Sequence, residues 1–157
     1  MAKNYINIYN NLIKFTRNKL LYKNTNIDET FSLRLTFFLI HFAFFLKHYK
    51  LDNDKNIMQD IYDYNFRQIE ISIREIGYGD VSINKKMKDY LNLFHKIIID
   101  LHGWDSYDDN KKSIFFSNFI SKDNNSSFFI DYFKNYQNFL KKNSLNSFIK
   151  DILDFKN

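Results

Sequence analysis

The sequence contains no proline and only three glycines in 157 residues. A β-sheet protein of this size needs many tight turns, and tight turns depend on these two residue types. Their scarcity favours long helices with few connections, and apolar residues recur at the three- and four-residue spacing of amphipathic helices. We therefore expect an all-α fold, with about six to seven helices in a single compact helical domain over residues 1–157.

The most apolar stretch of the chain runs from Leu35 to Leu46 and reads LTFFLIHFAFFL. It lies within a segment, Phe31–Tyr49, that is apolar almost all round, as expected for a helix at the centre of a core. The apolar run is well short of the roughly 20 residues that span a bilayer. We predict a buried core helix here, and the alternative is a helix that beds its apolar face into a membrane surface.

A second region predicts two long helices joined by a short turn. Apolar spacing places the first over about Ile57–Ile76, and the second ends near His102. Gly77 and Gly79 lie between them, where helix ends favour glycine, and Asp80 can begin the second helix. The sequence thus predicts a helix–GxGD–helix hairpin. The other predicted helical segments are a first helix over about Tyr5–Leu20 and a helical C-terminal extension over residues 104–157.

The net charge of +5 is compatible with an anionic partner such as RNA or a lipid surface. Only four of the 23 basic residues are arginine, however, and nucleic-acid readers favour arginine. The abundance of Lys, Asn, Ile, Phe and Tyr is typical of an AT-rich genome, which accounts for the charge without a nucleic-acid surface. Lys85, Lys86 and Lys88 form a basic edge near the start of the second hairpin helix, and we take them as a candidate client or membrane surface.

Catalytic and metal-binding patterns are missing from the sequence. Cysteine is absent, and the four histidines form no His-x-x-x-His or Glu-x-x-His pair of the kind that binds metals on a helix. There is no nucleophile elbow and no phosphate-binding loop. We therefore expect no catalytic residue, no metal site and no cofactor, which means that the protein is not expected to be an enzyme.

The first hairpin helix carries a row of charges that alternate in sign along one face, so that each can pair with the next. The members of this charged row are Asp63, Arg67, Glu70 and Arg74. Arg34 and His41 lie seven residues apart on one face of the apolar helix and can reach the row if the two helices pack together. The residues that we expect to meet around the hairpin are Arg34, His41, Asp63, Arg74 and Asp80. Arg74→Ala should then destabilise the fold or abolish client binding, and the alternative is a solvated row.

Residues 74–80 read REIGYGD and resemble the R-E-x-G-x-G-D signature of the ubiquinol–cytochrome c chaperone family. The matching residues are Arg74, Glu75, Gly77, Gly79 and Asp80. Upstream, residues 28–34 (DETFSLR) with His41 resemble the D-T…R…H segment of the family. Downstream, residues 81–88 (VSINKKMK) are similar to its V-x-K-x-x-K run. The resemblance covers about residues 28–101, which we take as the family-like core.

The resemblance implies an assembly factor for the respiratory chain. Relatives bind newly made cytochrome b and help it enter the ubiquinol–cytochrome c reductase, complex III, together with a small partner protein and in association with ribosomes. This chain looks like a bacterial relative. We expect it in the cytoplasm, at the inner face of the cytoplasmic membrane, with cytochrome b or another membrane subunit of a respiratory complex as its client.

Two functions of other classes stay open at this point. One is a basic helical module that binds RNA or the ribosome directly, without holding a client. The other is a peripheral membrane protein that uses the Phe-rich helix over residues 31–49 for membrane contact.

Overall fold

A computed structural model describes residues 4–156 of the chain. In that range the regular elements are eight α-helices and one short 3-10 turn, with no strand, which confirms the predicted all-α class. The elements are α1 (Ile6–Thr16), α2 (Lys19–Lys23), α3 (Phe31–Tyr49), α4 (Lys55–Glu75), α5 (Asp80–Leu101), the 3-10 turn (Trp104–Ser106), α6 (Asp109–Phe119), α7 (Ser126–Lys142) and α8 (Leu145–Lys150).

The helix α3 lies at the centre of the core, and it has the bounds that the apolar run predicts. Thr30 begins it, because the Thr30 hydroxyl accepts a hydrogen bond from the backbone N–H of Leu33 at 3.1 Å. Helices α1, α5 and α7 pack around α3 through aromatic side chains. Representative ring pairs are Tyr9–Phe38, Phe42–Phe94 and Phe37–Phe129, with centroids 5.4, 5.4 and 5.7 Å apart.

The burial of α3 decides between the two interpretations of its sequence. By length and hydropathy α3 could cross a membrane, but 67% of its apolar window is buried inside the protein. The aromatic and aliphatic residues from Leu35 to Phe45 are covered by neighbouring helices. The predicted core helix is therefore confirmed. The alternative in which α3 beds its apolar face into a membrane is wrong, because that face already contacts other helices.

The first predicted helix, over Tyr5–Leu20, is in fact two helices. α1 ends at Thr16, and Asn18 takes an extended backbone conformation. The Asn18 side chain accepts a hydrogen bond from the Leu20 N–H at 3.0 Å and so caps α2. The break raises the helix count above the predicted six to seven, and it places Arg17 at an exposed corner between the two helices.

The region after α5 shares the core of α3. Phe133 of α7 stacks on Phe44 of α3, with ring centroids 5.1 Å apart. The extended residues 151–156 are tied to α1 by the buried side chain of Asn11. Its Nδ2 donates to the Asp151 carbonyl at 2.8 Å, and its Oδ1 accepts from the Leu153 N–H at 2.6 Å. The C-terminal segment thus packs against the N-terminal helix.

The helices α4 and α5 are joined by residues 76–79 and pack together through Phe94 of α5. The Phe94 ring lies 5.2 Å from the ring of Phe66 and 6.0 Å from that of Tyr62. Gly77 has φ 100°, a conformation that glycine adopts far more readily than other residues. Gly79 is the N-cap residue of α5, so each glycine has a separate role in the turn.

Candidate functional site

The turn between α4 and α5 carries the best-formed ion pair among the predicted site residues. Arg74 Nη1 donates to Asp80 Oδ1 at 2.8 Å and joins the end of α4 to the start of α5. Glu70 lies farther away, with its Oε1 4.0 Å from Arg74 Nη2. The hydrogen bond to Asp80 raises the pKa of Arg74, and both side chains remain exposed to solvent. Within the family-like signature, the Arg74–Asp80 pair therefore links the two ends of a turn at the protein surface.

The charged row of α4 is largely solvated. Asp63 and Arg67 are exposed, and Glu70 is half-buried. Asp63 Oδ1 accepts a hydrogen bond from Gln59 Nε2 at 2.9 Å, and the described ion pairs include none between Asp63 and Arg67. Neighbours in the row therefore pair only at its C-terminal end. Glu75 lies beyond that end and is exposed.

His41 lies away from the charged row, in the core between α3 and α7. Its Nδ1 is 2.6 Å from the Phe37 carbonyl, and its Nε2 is 2.7 Å from the Tyr132 hydroxyl. A carbonyl only accepts, so Nδ1 carries the proton and Nε2 accepts from Tyr132. Tyr136 donates to the His41 carbonyl at 3.0 Å. Burial lowers the pKa of His41 to about 4, so the imidazole is neutral.

The expectation that five residues meet around the hairpin is therefore wrong. Arg74 and Asp80 do meet, but His41 has both ring nitrogens engaged in the core. The physical reason is that a buried imidazole needs a partner for each nitrogen, and Tyr132 of α7 supplies the second one. Arg34 is exposed on the rim of a separate cleft between α1, α3 and α4.

The basic edge of Lys85, Lys86 and Lys88 lies on the first turns of α5. Lys86 is placed with its Nζ 5.4 Å from the centre of the Tyr78 ring, a cation–π contact. Val81, one turn earlier, is 86% exposed. The three lysines lie outside the lining of the cleft formed where α3, α4 and α5 meet. Their role as a client or membrane surface stays a prediction.

A cleft that the sequence did not predict lies where α3, α4 and α5 meet, and we call it the α3–α4–α5 cleft. It encloses about 280 Å³. Apolar side chains form its floor, and basic side chains stand at its rim. The floor includes Ala43, Leu46, Met58, Tyr62, Ile98 and Leu101, and the rim includes Lys47, Lys50, Lys55 and His102.

The rim of the α3–α4–α5 cleft has an excess of positive charge. Lys47 donates to Asp105 Oδ2 at 2.9 Å, which lowers the pKa of the Asp105 carboxyl. Lys50 and Lys55 take part in no ion pair among the described residues, and none of the described lining residues is acidic. The cleft is thus suited to an apolar group that carries, or lies beside, a negative charge.

Sequence reasoning missed the α3–α4–α5 cleft because three separate segments build it. The available signal was the change from apolar to basic residues at the end of α3, where Lys47 and Lys50 follow the Phe-rich run. That signal indicates a helix end near solvent, but it does not show that Ile98 and Leu101 of α5 lie opposite. As to metals, the structure places no cluster of three or more potential ligands together within residues 4–156.

One comparison with known proteins gives a match. A family model described as ubiquinol-cytochrome C chaperone matches residues 23–110, which is more than half of the chain. The matched range contains the REIGYGD signature and every residue that lines the α3–α4–α5 cleft. Searches of curated proteins and of solved structures find no match.

Proposed function

The chain belongs to the ubiquinol–cytochrome c chaperone family, and from this membership we propose that it binds cytochrome b during biogenesis of the ubiquinol–cytochrome c reductase. The family supports a chaperone role in assembly, and cytochrome b as the client is our own step beyond it. We propose no enzymatic activity and no cofactor for the chain. The observation that carries the proposal is the family match over α3, α4 and α5, which together build an apolar cleft with a cationic rim.

The α3–α4–α5 cleft has the chemistry that a chaperone for a membrane protein needs. A cavity of about 150 Å³ in another protein holds one benzene molecule, so about 280 Å³ can take one or two large apolar side chains. Ile99, close to Ile98 of the cleft, is 69% exposed and extends the apolar surface along α5. An unassembled transmembrane helix offers such apolar side chains to a partner.

The cationic rim suits the end of such a helix. The C-terminus of a helix carries a partial negative charge, and acidic residues of membrane-protein loops add to it. Lys50 and Lys55 are free to neutralise these charges while the apolar floor holds the neighbouring side chains. This combination favours an amphipathic segment of a membrane protein over a purely charged or purely apolar ligand.

The proposal also sets a place of action and further partners. The proposed client is a membrane subunit, either cytochrome b or another subunit of a respiratory complex. The chain would then act at the inner face of the cytoplasmic membrane of a bacterium. A small partner protein or the ribosome would deliver or retain the client there. The basic edge of Lys85, Lys86 and Lys88 is available for one of these contacts, because it is separate from the α3–α4–α5 cleft.

Crosslinking and purification from the native host test the proposal. Tagged protein is captured after mild crosslinking of membranes, and co-purifying proteins and RNA are quantified. We expect cytochrome b to be enriched over equally abundant membrane proteins. Lys50→Glu with Lys55→Glu should reduce that enrichment at least fivefold, since both changes reverse charge at the rim.

The matched control combines Lys122→Glu with Lys134→Glu, which makes the same charge change at exposed lysines outside the cleft. This control should keep the enrichment. If ribosomal proteins and RNA dominate and cytochrome b is absent, the client role does not hold for this chain. A module that binds RNA or the ribosome then becomes the better explanation.

A further inference from the structure

A second cleft lies towards the other end of α3 and α4, where they meet α1, and we call it the α1–α3–α4 cleft. It encloses about 190 Å³. Its floor is formed by Leu35, Phe38 and Ile69, which are 7%, 1% and 2% exposed. The α1 part of its lining lies outside residues 23–110, so the family match does not account for this cleft.

The rim of the α1–α3–α4 cleft holds two of the four arginines of the chain, Arg17 and Arg34. Lysine is the usual cation in this sequence, so two arginines at one cleft suggest a need for the planar guanidinium. The Arg34 guanidinium carbon lies 6.0 Å from the centre of the Phe31 ring. Neither arginine forms an ion pair with any residue that the structure describes.

The other polar groups of the α1–α3–α4 cleft are already engaged. The hydroxyls of Tyr9 and Ser72 are 3.1 Å apart, and Ser72 Oγ also lies 3.0 Å from the Gln68 carbonyl. Thr16 donates to the Ile13 carbonyl at 2.8 Å. No lining residue in the described range is acidic. The two guanidinium groups are therefore the groups best placed to hold an anionic ligand.

We propose that the α1–α3–α4 cleft binds the apolar C-terminal residue of a partner protein. The terminal side chain lies on Leu35, Phe38 and Ile69, and the terminal carboxylate binds Arg17 and Arg34. Guanidinium groups match a carboxylate in a two-bond geometry that an ammonium group does not provide. The partner differs from the client of the α3–α4–α5 cleft, because the two clefts lie at opposite ends of α3 and α4 and share no lining residue.

The dimensions of the cleft favour a chain end over a helix or an internal segment. About 190 Å³ is slightly more than the roughly 150 Å³ cavity that binds benzene, so it fits one large side chain. An α-helix with its side chains is roughly 10–12 Å wide, so it could place only a single side chain in this cleft. A C-terminal residue carries both an apolar side chain and a carboxylate on one Cα, which brings the two groups as close together as the cleft requires.

Peptide binding followed by NMR of the full chain tests this proposal. The probes are acetyl-Gly-Ser-Gly-Phe with a free carboxylate and the same peptide with a C-terminal amide. The free acid should bind at least tenfold more tightly and shift the backbone signals of Ser72 and Arg34. Arg34→Gln should abolish the preference for the acid, and Arg34→Lys should weaken it. Lys134→Gln, which removes a charge from α7, should leave it unchanged.

Several outcomes would overturn the proposal. Equal binding of acid and amide would show that the arginines do not recognise the carboxylate. If an amidated peptide with an internal Phe-Glu pair bound as tightly as the free-acid peptide, the cleft would recognise an internal acidic residue and not a chain end. Tighter binding of decanoate would make the ligand a small amphiphile. Signal shifts confined to Lys50 and Lys55 would place the ligand in the other cleft. The wild-type comparison of acid and amide decides the matter even if the Arg34 variants fail to fold.

Discussion

His41 and the Arg74–Asp80 pair both belong to the family-like sequence, but the structure places them in opposite environments. His41 is 0% exposed and has a partner for each ring nitrogen. Arg74 and Asp80 form a short ion pair, yet their side chains are 48% and 86% exposed. The first group sits among aromatic rings of α3 and α7, and the second sits at the surface end of two helices.

Residues of one family pattern can therefore have separate tasks in the fold. A buried and fully hydrogen-bonded histidine fixes how α7 packs on α3, and its loss leaves the Tyr132 hydroxyl without that partner. An exposed ion pair adds little to stability because water and salt screen it. The turn shapes the connection between α4 and α5, while the apolar clefts at the two ends of α3 and α4 offer the chemistry for partners.

We expect the largest loss of stability when the buried imidazole of His41 is removed. His41→Ala should lower the free energy of unfolding by about 3–5 kcal/mol, because it opens a cavity and leaves the buried Tyr132 hydroxyl without its hydrogen-bond partner. Urea denaturation followed by circular dichroism measures the change. His95→Ala, at an exposed position of α5, is the matched control and should alter stability by less than about 0.5 kcal/mol.

The buried imidazole of His41 should also make the stability of the protein depend on pH. Burial lowers the pKa of His41 from 6.5 to about 4, so below pH 6.5 the unfolded chain takes up a proton that the folded protein does not. The stability that comes from burying the neutral imidazole is therefore fully present above about pH 6.5. As the pH falls towards 4, the free energy of unfolding decreases by roughly 3 kcal/mol. Comparing denaturation of wild type and His41→Gln across this range isolates it. Parallel curves would contradict the assignment.

In the turn between α4 and α5, replacing Gly77 should lower the stability of the protein, whereas replacing Gly79 should not. Gly77 has φ 100°, so Gly77→Ser forces a strained backbone and should cost more than about 1 kcal/mol. Gly79 has φ −75° at the N-cap of α5, where serine can cap the helix, so Gly79→Ser should be neutral or stabilising. The difference between the two Tm values measures the effect. Equal losses would mean that the turn needs both glycines for another reason.

We expect the smallest loss of stability when Arg74 is replaced by alanine. The sequence alone suggested that Arg74→Ala would destabilise the fold or abolish client binding, but the ion pair with Asp80 is exposed. We now expect a Tm shift smaller than that of Gly77→Ser, measured by thermal denaturation in the same buffer. Added salt should reduce the difference from wild type further, because salt screens surface ion pairs. A large loss at high salt would contradict the view that this pair is local.

The sequence predicted the helices better than the sites, and the reasons are physical. The bounds of α3 follow from a continuous apolar run that ends in polar residues on both sides. The break at Asn18 was missed because the apolar spacing continues across it, while the cap depends on one side-chain hydrogen bond. The partner of His41, Tyr132, lies 91 residues away in sequence, and no local pattern links the two. The clefts likewise need the packing of three helices.

We propose that a membrane subunit of the respiratory chain occupies the α3–α4–α5 cleft. Site-specific photocrosslinking from the chain in its native host tests it most directly. A photoreactive residue replaces Gln59, which lines the cleft, or Asp131, which is exposed on α7 outside it. We expect crosslinks to cytochrome b from position 59 and none from position 131. Crosslinks of equal yield from both positions, or crosslinks from position 59 to ribosomal proteins only, would contradict it.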